Sequence, residues 1–592
     1  MRIAFVGVDY CGQYGVVPPP HEAVWLPFAP TLEEMYAKVG KTPAWADVCV
    51  VVLAETHPLP LDFESSACPT VAVVVDWKTW SDVLFAHAPA LDFIFADQSG
   101  VDRLTPFWPG KPRTFVPVAN FSRIDPPAAA TPLRDRPHDV TFIGGISPAE
   151  IFADRNQALA WLVEHVDEFD VRIMSGLDSD AFAQAMCDSK IVFNHAASNI
   201  QAGVNARNFE AGACGAVTMG ERDNAGATTF FGEDELVRYC EDTLPDAIRG
   251  VLSNVDASQQ IADRYAEKTT APLMPRLLDA LHGVLEAEPV PRRGRTHLDL
   301  LVGLCHGFGN WGEGARRPAA ALGMMVATAE EAVNACPNDP ALLNAVGVCM
   351  AEIVVELARL GEGSQSARIL DHPLLEPERQ WRRAAALDES FAAPLYNLGR
   401  YLIKRGEDSR AIGMLTRARS RIAEHGQRAM EPPSVFFPVW CANATGLDRV
   451  LTAAYNAVRF EYPEPASART RMAALLRWRI EEVLGDLAMR RGNQDGALRQ
   501  YRAAVDAAPT MATEALRKIA GIAKDTGDRA RHVEALRELT ALNPLDALSR
   551  TELLDVCEPS EPGYRQLTEE IRRLRQAVPT PRMFERRPFD EL

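Results

Sequence analysis

Two stretches carry side chains able to grip an anionic, hydroxyl-bearing ligand. The first is HDVTFIGGISPAEIFADRNQALAWL (His138–Leu162), in which a β-branched run ends at Gly144-Gly145 and a helical pattern follows. Glycines at such a turn let the backbone approach a phosphate, and the N-terminus of the next helix favours negative charge. The same turn also arises for geometric reasons alone, so it decides nothing by itself. The second stretch is SKIVFNHAASNIQAGVNARNFEAGACGAVTM (Ser189–Met219), whose strand ends at Asn194-His195. A polar pair there sits where open α/β sheets bind ligands. Arg207, Asn208 and Glu210 then open a small-residue helix. Arg207 presents a planar fork of donors with a fixed charge, suited to a diphosphate. Glu210, three residues on and on the same face, can accept from ribose hydroxyls. A capping and ion pair at a helix start would use the same two residues.

Three textures position these groups. Residues 1–287 alternate short apolar runs with helical stretches, the pattern of α/β units on parallel sheets. Strands are expected at Arg2–Val6, Val48–Leu53, Thr70–Val75, Phe93–Ala96 and Arg113–Val116, then at Asp139–Ile143, Asp170–Met174, Ile191–Asn194 and Gly215–Met219. The proline-rich DPPAAATPLRDRPH (Asp125–His138) separates the two series as a linker. After EPVPRRGRT (Glu288–Thr296) the β signal fades and apolar residues recur at helical spacing. The expected units are a first lobe over 1–125, a second over 138–287, a helical repeat domain over 297–560, and a C-terminal helix and tail over 561–592.

The helical part repeats itself. Gly485, Ala497, Tyr501, Ala504 and Pro509 find partial copies in Gly399, Ala411, Leu415 and Ala418, and in Ala520, Leu536, Leu539 and Pro544. This pattern resembles the tetratricopeptide repeat (TPR), whose small residues let paired helices approach. An unspecialised bundle also spaces Leu and Ala on helix faces. Gly361–Glu378 and Glu431–Leu447 read as insertions.

Composition narrows the partners. The 592 residues carry 62 Lys and Arg against 80 Asp and Glu, so the formal charge is 62 − 80 = −18. Such a chain repels phosphate backbones and anionic lipid, which argues against nucleic acid or a membrane surface as partner. No run is expected to span a membrane, and the eleven cysteines, without a CxxC pair, suit a reducing cytoplasm. Asp178-Ser179-Asp180 spells a DxD triplet inside a turn, where such residues serve as caps, and no metal site is expected. After Val6 the glycines at 7 and 12 do not form GxGxxG, which excludes a nicotinamide fingerprint.

The order of a Gly-rich turn, a strand ending in Asn, and R-x-F-E-x-x-A-C-G-x-x-T resembles the CgeB-like glycosyltransferases of the GT-B class. The matching residues are Arg207, Phe209, Glu210, Ala213, Cys214, Gly215 and Thr218. The resemblance implies two Rossmann-like lobes facing across a cleft, followed here by an all-α TPR-like solenoid. It places Gly144, Gly145, Arg207 and Glu210 at a nucleotide-sugar donor, with Asn194 and His195 nearby. It implies no cofactor and no metal, because helix dipoles and basic side chains offset the leaving diphosphate. Ala202 stands where retaining members often carry a second acid, which leans towards inversion. The base would come from the first lobe, with Asp76 and Asp9 as catalytic candidates and Glu55 and His57 behind them. Trp77 could stack on a sugar. The repeats would hold the acceptor, Ser or Thr of a bacterial protein such as flagellin. A glycan acceptor, or a non-catalytic scaffold, is the alternative.

Overall fold

The computed structural model describes residues 1–578 except 8–13, 15–16, 117–129, 147–151, 197–202, 233–234, 308–318, 361–371, 373, 431–445 and 463. Asp9 and most of both expected insertions lie outside the described residues.

Among the described residues, eleven strands form two wholly parallel sheets. The first contains β1 (Arg2–Val6), β2 (Glu22–Leu26), β3 (Val48–Val52), β4 (Thr70–Val73), β5 (Phe93–Ala96) and β6 (Pro112–Thr114), in the order β2-β1-β3-β4-β5-β6. The second contains β7 (His138–Ile143), β8 (Val171–Met174), β9 (Ser189–Phe193), β10 (Val217–Glu221) and β11 (Val237–Tyr239), in the order β11-β10-β9-β7-β8. Register runs Ile3↔Val48 in the first sheet and His138↔Ser189 in the second. Every residue of β3, β4 and β5 is buried, as expected of parallel strands covered on both faces. Two parallel sheets with flanking helices fit the two-lobed GT-B arrangement, and the C-terminal half is helical.

Two strands, β2 and β11, are absent from the sequence reading. Both are sheet edges, where one side faces outward and the apolar run is diluted by Glu22 and Arg238. The helical run after Ala257 is two helices, Val255–Thr270 and Leu273–Glu286, parted at Ala271-Pro272. The second of these crosses back: Leu273, Leu277 and Leu281 share one core with Ile3, Val48 and Phe93 of the first sheet.

The helical half is a run of hairpins, including Ala393–Lys404 with Asp408–His425, Pro465–Arg490 with Gln494–Ala507, and Thr513–Thr526 with Arg529–Leu542. A glycine admits the partner helix at three close approaches. A Cβ on Gly347 would stand 2.5 Å from Trp381, one on Gly399 2.7 Å from Leu415, and one on Gly485 2.4 Å from Tyr501. Tyr501 is buried, its hydroxyl donating to Asp486 Oδ1 at 2.7 Å, so the ring has no free direction to retreat. Gly485→Ala is therefore expected to destabilise the chain by about 1–3 kcal/mol, read as a fall in the urea midpoint. An unchanged midpoint would show that the hairpin can slide.

One helical stretch passes for a membrane span by composition yet lies in the helical core. The window Pro340–Leu357 is long and apolar enough to cross a bilayer by length and composition, and 78% of it is buried inside the protein. Its Val346, Cys349 and Ile353 pack with Trp381 and Tyr396 in the helical core.

The helical half holds both lobes. On the first, Asn456 Nδ2 donates to Thr79 O at 2.7 Å and to Asp82 Oδ1 at 3.2 Å, and His306 Nδ1 pairs with the same carboxylate. Lys78, 2% exposed at its side chain, meets Glu461 at 2.8 Å. On the second, the helix Tyr564–Ala577 places Leu574 and Ala577 in one core with Val166 and Phe169. Arg572 meets Asp167 at 2.7 Å, and Gln576 Nε2 donates to Val166 O at 2.7 Å.

Candidate functional site

The C-terminal ends of β7, β9 and β10 deliver the polar groups of the second lobe, and the helix Ala206–Ala213 delivers Arg207 and Glu210. Arg207 lies over the ring of Phe142, with Cζ 5.1 Å from the centroid, and Nη1 donates to Asn194 Oδ1 at 3.3 Å. Burial pushes its pKa below the usual guanidinium value, while the carboxylates of Glu210 and Glu221 support the charge. Gly144 is glycine because of this arrangement: a Cβ there would stand 2.5 Å from Arg207 Nη2. The structure thus brings Gly144, Asn194 and Arg207 together.

Asn194 is a brace, 1% exposed. Its Oδ1 also accepts from Asn205 Nδ2 at 3.0 Å, and its Nδ2 donates to Asn208 Oδ1 at 3.1 Å. Glu210 is only 4% exposed, and its carboxylate supports the charge of Arg207 from within the packing. Three buried polar atoms of the cluster find no hydrogen-bond partner among the described residues: Arg207 Nε, Asn205 Oδ1 and Asn208 Nδ2. Buried polar atoms are rarely left unmade. The three atoms group around one guanidinium, which makes this cluster the candidate ligand site of the second lobe.

His195 stands beside this group. Its Nδ1 lies 2.6 Å from Tyr239 Oη and 3.8 Å from Glu221 Oε1, and burial lowers its pKa, keeping the ring neutral near pH 7. Gly145 is exposed, and its carbonyl accepts from Arg155. Asp178 caps the helix Ser179–Cys187 by accepting from Ala181 N at 2.9 Å.

The first lobe presents a row of acids at its strand ends. Glu55, fully buried, accepts from the backbone N–H groups of Val75 and Asp76 at 2.7 and 2.8 Å. Burial raises its carboxyl to about 7, and that of the partly exposed Asp76 to about 6. Burial lowers His57 to about 4. Leu53, at φ 52, turns the chain between β3 and Glu55; a side chain in this left-handed region stores strain of the sort found at functional sites. Gly7 lies against this turn, with φ +109, and a Cβ there would stand 2.6 Å from Val52 O.

Trp77 does not line the cleft. It is 2% exposed, and its ring meets Phe460 edge-on at 5.2 Å. The helical half covers it, which no local pattern could show.

Sequence reasoning missed three groups. Asp97, at the end of β5, caps its own helix through Gly100 N at 2.8 Å and accepts from Val204 N of the second lobe at 2.9 Å, tying the lobes together. Glu221 ends β10 and accepts from Ala196 N. Both follow the strand-end rule that found Asn194. Arg155, on the helix Ala153–Glu164, binds backbone carbonyls and left no signal in the sequence. Between the lobes lies a cavity of about 220 Å³ lined by Gln98, Thr114, Phe115, Val116, Phe230 and Arg276.

Residues 132–272, which span the second lobe and its helix Val255–Thr270, match the family described as Glycosyl transferase-like. No curated protein matches the sequence. Among solved structures the chain is similar to sucrose-phosphate synthase from Thermosynechococcus elongatus, at 11% identity and TM-score 0.30, over 48% of this chain and 100% of that one. It is similar at 13% identity and TM-score 0.30 to the pneumococcal O-GlcNAc transferase GtfA in complex with UDP and GlcNAc, over 43% of this chain and 60% of that one. An alpha-glucosyltransferase in complex with UDP and DNA overlaps at 11% identity and TM-score 0.32, over 48% of this chain and 100% of that one.

Proposed function

We propose that the chain is a glycosyltransferase that moves a sugar from a nucleotide-sugar donor to an acceptor hydroxyl. The observation that carries this reading is the set of unmet buried polar atoms around Arg207, at the C-terminal ends of the central strands of the lobe that matches the glycosyltransferase-like family. A diphosphate supplies acceptors to Arg207 Nε and Asn208 Nδ2, a sugar or ribose hydroxyl donates to Asn205 Oδ1, and the guanidinium offsets the charge that grows on the leaving phosphate. The reading needs no metal for that task. Gly144, Gly145, Arg207 and Glu210 serve the donor, and Asn194 and His195 hold the wall behind it. Asp76 is the candidate base: a carboxyl at about 6 is largely ionised at neutral pH yet basic enough to take a hydroxyl proton.

The acceptor is a protein. In this reading the helical hairpins are a TPR-like solenoid that presents Ser or Thr of a bacterial protein such as flagellin, and the reaction is cytoplasmic. Calorimetry of the full chain with UDP, GDP and ADP, in the presence of a chelator, tests the donor half. Binding of one of them supports it; silence from all three favours a scaffold. Intact-mass spectra of surface proteins from cells with and without the gene test the acceptor half. A hexose-sized loss on one polypeptide is the expected result, and identical spectra would point to a glycan acceptor.

A further inference from the structure

Arg155 is 6% exposed, yet its donors go to main-chain carbonyls. Nε donates to His195 O at 2.9 Å and Nη1 to Gly145 O at 3.1 Å. Those carbonyls belong to the turns after β9 and β7, the two turns that frame the donor wall. The guanidinium is sandwiched near Phe142 and Phe152, at 5.6 and 5.1 Å from their centroids, and shares Phe142 with Arg207. Burial, helped by the charge of Arg207, lowers its pKa to about 9. Desolvating a second cation beside the first is costly, and packing alone would be served better by an apolar side chain.

Peptide planarity supplies a reason. The peptide unit is trans, so turning the Gly145 carbonyl inward to a buried guanidinium turns the N–H of Ile146 outward, towards the exposed side of the turn. The same constraint on His195 O fixes the Ala196 N–H, which donates to Glu221.

We propose that Arg155 is a positioning residue: it locks the two turns at one spacing and aims the Ile146 N–H at the ligand's diphosphate without touching it. This rests on the nucleotide-sugar reading above and adds the device that pre-organises the backbone. A fork with two donors in fixed geometry can hold two carbonyls at once, which an ammonium cannot.

The test uses the full chain, its Arg155→Met and Arg155→Lys variants, and three ligands: the nucleoside diphosphate that binds best, its monophosphate, and its nucleoside. Arg155→Met is expected to lose about tenfold in affinity for the diphosphate and less than about twofold for the nucleoside. Arg155→Lys should fall between, with the same selectivity. Equal losses on all three ligands would mark a general packing role and overturn the proposal. Diphosphate binding as tight as the wild type would overturn it too, while leaving the nucleotide-sugar reading standing. A wild-type chain that binds no diphosphate defeats that reading, and this one with it. Should neither variant fold, by far-UV circular dichroism, Arg155 is a core brace and the proposal falls.

Discussion

Arg207→Ala should lower affinity for a nucleoside diphosphate about a hundredfold while leaving the melting temperature near that of the wild type. Charge-assisted hydrogen bonds are worth about 1.5–3 kcal/mol each when a partner is lost, and a forked contact forfeits two. The side chain is partly exposed, sits over Phe142 and, among the described residues, donates one hydrogen bond, to Asn194, so its removal opens little of the core. Gly144→Ala offers an independent route to the same loss. The added methyl would stand 2.5 Å from Nη2, the free end of a flexible side chain, so the guanidinium moves and the fold does not. Isothermal titration of both variants reads the outcome. Wild-type affinity in Arg207→Ala would remove the central cation from the site.

Glu55→Gln is expected to change the pH dependence of stability by about 3 kcal/mol. The carboxyl is fully buried, and burial raises it from 4.5 to about 7 against the opposing pull of the Val75 and Asp76 N–H groups. A group whose folded pKa lies above its unfolded value holds its proton better when folded. Its stabilisation is complete below the unfolded value and drains away as pH rises through about 7. The neutral amide keeps an oxygen for both N–H groups and carries no such dependence. Urea midpoints should therefore coincide near pH 4.5 and favour the variant by pH 8. Parallel curves across that range would show that Glu55 ionises freely.

The central strands were legible because continuous apolar runs such as VCVVV leave few other homes, and β1 and β5 fall on the expected residues. The edges β2 and β11 were not, because one face of an edge strand is partly wet and its pattern dissolves into the turns. At the site, residues that announce themselves by type at a strand end, such as Asn194, could be found. Glu221 and Asp97 obey the same rule and went unread only because no neighbouring motif drew attention to them. Arg155 is different in kind. Its partners are carbonyls from turns 10 and 40 residues away, a relation that exists only once the sheet has formed. Trp77 errs in the opposite direction: its local setting suggests a sugar platform, and a helix from the far end of the chain claims it.

The double grip of the helical half has a mechanical corollary. Asn456, His306 and Glu461 fasten it to one lobe, and Leu574, Arg572 and Gln576 to the other. Neither lobe can swing without bending the stack of hairpins or tearing one anchorage, so the energy of gaping is borne by a spring about 280 residues long. Cutting the chain near residue 296 would not release an autonomous enzyme; it would strip Trp77 and Val166 of their cover and leave two sticky fragments. A load placed on the hairpins would be felt in the jaws as a change in stiffness.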